Sequence, residues 1–396
     1  MFGNIIRRRE GDYSCFIKTE VYTPKYMTVS KGLEGVVALT SKISSIIDGV
    51  LTYRGMNIDE LADQAKFEEV IFLLWEGRLP TQSELDQLKQ ELDSELEIPE
   101  ELLKQLATYP ETVHPMAALR TAVSSLALFD EEADVNTPEA NRRKAIRLTA
   151  KMPTIIAAFA RLRQGLEPVA PKKGVSLATN FLTMLNGKEP DEVAINALNK
   201  ALILHADHEL NASTFAARVT AATLSDMYSS ITTAIGALKG PLHGGANERV
   251  MAMLEEINTP DRVESVIMQK LNNKEKIMGF GHRVYKNGDP RAKHLQEMSR
   301  QLSELTGDKK WYEMSVQIHE LVEKEKGLKP NVDFYSASVY HYLGISRDLF
   351  TPIFAMSRVT GWTAHIMEQY ADNRLIRPRA EYVGPKHQSY VPIDQR

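Results

Sequence analysis

Apolar residues recur at helical spacing along most of this chain, between recognisable start and stop signals, and that limits it to a predominantly helical fold. Phe67, Val70, Ile71 and Leu74 follow the i, i+3, i+4, i+7 stripe of a helix with one buried face. Gly77 to Pro80 closes that helix, and Thr81-Gln82-Ser83-Glu84 is a capping box for the next, with Leu85, Leu88 and Leu92 on one side. Thr137-Pro138-Glu139 starts another, expected to kink near Pro153 and stop at Gly165. Val193, Ala197, Ala201 and Leu204 predict a helix that delivers His205-Ala206-Asp207-His208. Residues 213–239, rich in Ala, Ser and Thr, read as one closely packed central helix, or else as a partly exposed one. The best strand signal is Ser45–Ile47 and Val50–Tyr53 around Asp48-Gly49, a small hairpin. Residues 94–113 and 129–141 read as acidic, Pro-containing connectors with solvated charge.

The 396 residues suffice for one large or two moderate domains. A net charge of −4 offers nucleic acid no global basic field. The single Cys15 excludes an intrachain disulfide and a cysteine-only metal site. No apolar run approaches the ~18 residues of a membrane span. Arg7-Arg8-Arg9 lacks the apolar stretch of a signal peptide, and Glu10, Asp12 and Glu20 disfavour an organellar transit peptide, so a cytoplasmic location is expected.

Chemistry concentrates in a few segments. His282 lies in Gly279-Phe280-Gly281-His282-Arg283-Val284-Tyr285-Lys286, followed by Gly288-Asp289-Pro290-Arg291. Glycines allow close backbone approach to a ligand, histidine transfers protons near neutral pH, and arginine grips a carboxylate through two parallel hydrogen bonds. This suits a small anionic carbonyl compound. His243, in Gly240-Pro241-Leu242-His243-Gly244-Gly245-Ala246-Asn247, precedes a helix start whose dipole favours neutral imidazole, a donor to an enolate; the other reading is a turn histidine facing solvent. Asp333 sits between Val332 and Phe334, either as a desolvated base or as a helix cap. His205, Asp207, His208 and Glu209 form a polar cluster that could suggest a metal-dependent hydrolase, but the His-x-x-His spacing differs from the zinc-protease motif and no third ligand is evident. A substrate contact through His208 is the better reading. Arg291, Arg358 and Arg377 are candidate carboxylate clamps, or else solvated charges. No Walker or Gly-x-Gly-x-x-Gly fingerprint is present.

Taken in order, His208 in His-Ala-Asp-His-Glu, His243 in Gly-Pro-Leu-His-Gly-Gly-Ala-Asn, His282 in Gly-Phe-Gly-His-Arg-Val-Tyr, Arg291 in Asp-Pro-Arg and Asp333 in Asn-Val-Asp resemble the citrate synthase family from about residue 28 to about 385. The length looks like the short bacterial and archaeal type. The resemblance implies an all-α, two-domain fold with a cleft: a large domain of 28–244 and 346–396, a small domain of 245–345, and residues 1–27 as an N-terminal extension. It implies a Claisen-type condensation of acetyl-CoA with oxaloacetate, with no separate cofactor. Asp333 would be the base, His243 the enolate stabiliser and His282 the group that polarises the ketone. His208, Arg291, Arg358 and, across a homodimer interface, Arg377 would hold the carboxylates. CoA would lie along Ile277, Gly279, Gly281, Arg283 and Lys286. The nearest rival is 2-methylcitrate synthase, which uses propionyl-CoA; a catalytically silent binding paralogue is another alternative.

Overall fold

The computed structural model describes residues 30–282, 284–285 and 288–396. The segment read as an N-terminal extension, 1–27, lies outside the described residues. Contacts divide the chain into a main body, Ser41–Arg377, and a second unit made of the ends up to Thr40 and from Pro378. The described part of the second unit carries 3-10 turns at Lys31–Leu33 and Ile393–Gln395. The main body holds sixteen α-helices and one three-stranded sheet among the described residues. Among the described residues no helix is long and apolar enough to cross a membrane.

The hairpin forms as its sequence predicts. Strand β1, Ser44–Ile47, pairs antiparallel with β2, Val50–Tyr53, with Ile46 opposite Leu51. A short β3, Met56–Asn57, extends the sheet. Leu51 and Tyr53 are buried on one face, and the Tyr53 hydroxyl reaches the carbonyls of Ile203 and Asp207, each at 3.0 Å. The sheet thereby clamps the chain that leaves helix Glu192–His205.

Helix Phe67–Glu76 buries Phe67, Val70, Ile71 and Leu74, and the Thr81–Glu84 capping box opens Gln82–Ser94. Helix Pro138–Leu162, capped by Thr137, continues through Pro153. Three expectations need correction. Residues 213–239 form two helices, Ala212–Ala221 and Met227–Leu238; Leu224 takes a left-handed φ of 64°, and Asp226 caps the second helix by accepting from Ser229 N. The connector at 94–113 contains a helix, Glu100–Ala107, that buries Leu102 and Leu106. Asp130, read as solvated, is buried, ion-paired with Arg147 and bonded by the Tyr228 hydroxyl at 2.6 Å.

Helix Phe350–Ala371 is the centre of the core. Every residue from Phe350 to Ile366 is buried, and it packs on Pro138–Leu162, Ala212–Ala221, Met227–Leu238 and Glu192–His205. A helix apolar nearly all round belongs in an interior. Gly361 permits its closest approach: a Cβ there would lie 2.4 Å from both the Ala206 carbonyl and Asp207 Oδ1. The helix thus presses against the His205–His208 segment, and Arg358 is its buried cation.

Candidate active site

Asp333 is the second residue of helix Val332–Tyr342. Capping falls to Asn331, whose side chain accepts from Asp333 N at 3.0 Å, so the Asp333 carboxyl is not used as a cap. The same asparagine ties this helix to the His282 segment. Asn331 N donates to the Gly279 carbonyl and Asn331 Nδ2 to the Gly281 carbonyl, both at 2.9 Å, while Gly281 N donates to the Lys329 carbonyl at 3.1 Å. Gly279 is required here: its φ is 82°, and a Cβ would lie 2.8 Å from Val250 and 2.9 Å from Phe334. Asp333 Oδ1 is buried with no hydrogen-bond partner among the described residues. Burial pushes the Asp333 carboxyl up to about 7, against the opposing positive charge of Arg291.

The hydrogen bonds assign the histidine tautomers. His243 Nε2 accepts from the Ser213 backbone N–H at 3.2 Å and lies 2.8 Å from Ser213 Oγ. A nitrogen that accepts a backbone N–H carries no proton, so the His243 proton sits on Nδ1, the nitrogen left to donate. Trp362 Nε1 donates to Ser213 Oγ at 3.1 Å and fixes the serine in turn. Burial lowers the His243 pKa to about 4, helped by the charge of Arg358. Its neutrality, expected from a helix dipole, thus comes from burial and a cation, and the solvent-facing alternative does not apply. His282 Nδ1 accepts from Val284 N at 3.0 Å and Tyr285 N at 3.2 Å, which leaves Nε2 as its protonated nitrogen. Burial and Arg291 lower the His282 pKa, with Asp289 opposing them. His208 stands edge-on to His282 with centroids 5.3 Å apart, and its Nε2 lies 3.0 Å from the Tyr285 hydroxyl. Burial, then Arg291 and Arg358, hold it well below the usual histidine range.

Two of the three arginines join this cluster. Arg291 is buried and forked onto Asp289, with Nε to Oδ1 at 2.9 Å and Nη2 to Oδ2 at 2.7 Å. Asp289 also accepts from the backbone N–H of Arg291 and of Val332, each at 3.1 Å. Arg291 Nη1 makes no hydrogen bond among the described residues. Arg358 is buried too; its Nε donates to the His205 carbonyl at 2.7 Å, and no hydrogen bond engages its Nη atoms among the described residues. Two buried guanidinium groups with unengaged nitrogens call for an anion. Arg377 is exposed, at the end of the main body, and makes no hydrogen bond or ion pair among the described residues. Ile277 is buried and Gly279 and Gly281 lie on the approach to His282, whereas Arg283 and Lys286 lie outside the described residues.

The polar cluster around His205 points in three directions. His205 Nδ1 donates to the Ala201 carbonyl at 2.7 Å, and burial takes its pKa down to about 3. Asp207 pairs with His365 at 3.3 Å and with the Ser44 hydroxyl, and His208 faces Tyr285. Among the described residues no group of three His, Cys, Asp or Glu side chains could hold a metal. Three members of the site escaped the sequence reading. Asp289 was legible only as part of a turn, Tyr285 only as part of a motif, and Ser213 gave no signal, thirty positions from the histidine it serves.

The citrate synthase C-terminal domain family matches residues 32–379. Citrate synthase 2 of Bacillus subtilis is 64% identical over 371 residues, covering 93% of this chain and all of the relative. A citrate/2-methylcitrate synthase of the same organism is 45% identical over 363 residues, 91% of this chain and 98% of the relative. A solved ternary complex of carboxymethyl coenzyme A and oxaloacetate with citrate synthase from Thermoplasma acidophilum superposes with a TM-score of 0.88 at 38% identity, over 93% of this chain and 99% of that one.

Proposed function

This chain belongs to the citrate synthase family, and from that premise we propose how its residues divide the work of joining an acyl-CoA to oxaloacetate. The activity is an acyl transfer in which the acyl group becomes alkyl, yielding citrate and CoA. The observation that carries the assignment of roles is the company Asp333 keeps: a carboxyl raised to about 7 within the fields of two buried arginines, Arg291 and Arg358, whose charges also act on His208 and, from Arg358, on His243.

His208, Arg291 and Arg358 hold the oxaloacetate carboxylates, and His282 Nε2–H hydrogen-bonds the ketone oxygen. Asp333 removes a methyl proton from acetyl-CoA. The thioester oxygen gains the charge and is met by His243 Nδ1–H, a donor already fixed by Ser213. The enol carbon attacks the polarised ketone, His282 gives its proton to the new alkoxide, and water then cleaves citryl-CoA to citrate and CoA. Ile277, Gly279 and Gly281 would border CoA, with Arg283 and Lys286 as candidate phosphate contacts.

The proposal includes the two-domain division, 28–244 with 346–396 against 245–345. It is supported by helices Ala246–Ile257, Val263–Asn272, Ala292–Thr306, Lys310–Lys326 and Val332–Tyr342, which pack chiefly on one another. It includes a homodimer in which the partner's Arg377 completes the carboxylate site. Support comes from Arg377, which is exposed and makes no hydrogen bond or ion pair among the described residues. Mixing inactive Asp333→Ala and Arg377→Ala chains should restore activity at up to about a quarter of the sites, because half the dimers then hold one intact site; no restoration in verified mixed dimers refutes the shared site. A cytoplasmic location belongs to the same reading.

The second reading, 2-methylcitrate synthesis from propionyl-CoA, is favoured by the dual name of the 45% identical relative. One methylene is worth only ~1–3 kcal/mol of discrimination. Release of free CoA thiol, dependent on oxaloacetate and compared between acetyl-CoA and propionyl-CoA, decides between them by kcat/KM. No release with either would leave a silent paralogue.

A further inference from the structure

Tyr285 touches each of the groups assigned to the keto acid within one protomer, apart from Arg358. Its hydroxyl lies 3.0 Å from His208 Nε2. Its ring is tilted against His282 at a centroid distance of 4.6 Å, and its backbone N–H donates to His282 Nδ1 at 3.2 Å. The Arg291 guanidinium lies 5.9 Å from the centre of the same ring. The residue is 4% exposed, so this hydroxyl is no surface group that happens to meet a histidine. A neutral imidazole has two tautomers and two ring orientations, and only a fixed partner on one nitrogen selects among them. His282 has that partner in backbone N–H groups, one of them from Tyr285. Among the described residues the Tyr285 hydroxyl is the only side-chain group hydrogen-bonded to the His208 ring.

We propose that Tyr285 is a positioning residue of the oxaloacetate pocket, its hydroxyl setting His208 and its amide and ring setting His282, so that both imidazoles address one bound keto acid. This rests on the functional reading above. It adds a role for a residue that acts through two histidines instead of on the substrate. The ring also spreads over the flank of the Arg291 guanidinium, which keeps that cation aligned while Asp289 holds its other edge.

The test uses the full-length protein with Tyr285→Phe, which keeps the ring and backbone and removes the hydroxyl, and Tyr285→Leu, which removes the hydroxyl and the ring together. Tyr285→Phe should raise the KM for oxaloacetate roughly two- to tenfold, the effect of one lost neutral hydrogen bond. The KM for acetyl-CoA and the melting temperature should not change. Tyr285→Leu should in addition lower kcat and move the 13C signal of the C2 carbonyl of bound oxaloacetate towards its free position, a readout of ketone polarisation that simple space-filling would not move. If Tyr285→Phe matches the wild type in oxaloacetate KM, or if acetyl-CoA KM changes instead, the positioning role is wrong while the functional reading stands. If the wild type itself releases no thiol, both fall. Should Tyr285→Leu fail to fold, the Phe variant alone decides.

Discussion

Asp289, which is buried, and Asp333, half-buried with one carboxyl oxygen enclosed, lie under the charge of the same Arg291, yet they are pushed in opposite directions. At the Asp-Pro-Arg turn, Asp289 takes both prongs of the Arg291 fork and two backbone N–H groups, and these hold it below the usual carboxylate range although burial opposes them. At the start of helix Val332–Tyr342, Asp333 has one oxygen buried without a partner, and burial prevails. The difference lies in contact with Arg291: Asp289 pairs with it directly and takes its hydrogen bonds, whereas Asp333 makes no bond to that cation and also feels the opposing charge of Asp289. A satisfied carboxylate is scaffold; an unsatisfied one is held ready to take a proton.

The largest effect expected from breaking this contrast is on Asp333. Asp333→Ala should lower kcat by roughly 10²–10⁴, the range of general-base catalysis, while calorimetry shows oxaloacetate still bound. Near-normal turnover would remove Asp333 from its role. Next is Asp289→Asn, which keeps the shape and leaves Arg291 as an unmatched buried cation. Removing one member of a buried pair costs about 3–5 kcal/mol, so chemical denaturation should show a loss of that order and steady-state kinetics a much higher oxaloacetate KM. A variant as stable as the wild type would mean that the fork contributes little.

A smaller effect sharpens the comparison through stability. The folded-state pKa of Asp333 lies above its ordinary 3.8, so its favourable contribution is complete below that value and is lost as pH rises through about 7. Asp333→Asn should therefore be more stable than the wild type at alkaline pH, by at most ~4 kcal/mol for a shift of this size, and the gap should close toward about pH 4. A gap independent of pH would show that ionisation of Asp333 does not burden the fold.

Much of this was legible in the sequence, and the parts that were not share a cause. The helical stripes, the Thr81 capping box and the Asp48-Gly49 hairpin depend on neighbours within a few positions, and they appear as read. His208, His243, His282, Arg291, Arg358 and Asp333 stood out as residue types in telling company, and the fold draws them into one cluster. What stayed hidden depends on distant partners. Ser213 sets the His243 tautomer from thirty residues away, and the Asp289 carboxylate meets Val332 forty-three residues on. The break at Leu224 was missed because small residues on both sides suit a helix, while the Asp226 cap that starts the second one is a single weak local signal. The helix Glu100–Ala107 was missed because acidic residues and prolines on its flanks masked Leu102 and Leu106.

The most direct test of the contrast is an infrared titration of the substrate-free protein, with Asp333→Asn as the reference for subtraction. A protonated-carboxyl band belonging to Asp333 should be present in mild acid and disappear with a midpoint near 7. If Asp333 is already ionised at about pH 5, as an ordinary carboxylate would be, its burial does not set its chemistry and the account of the base is wrong.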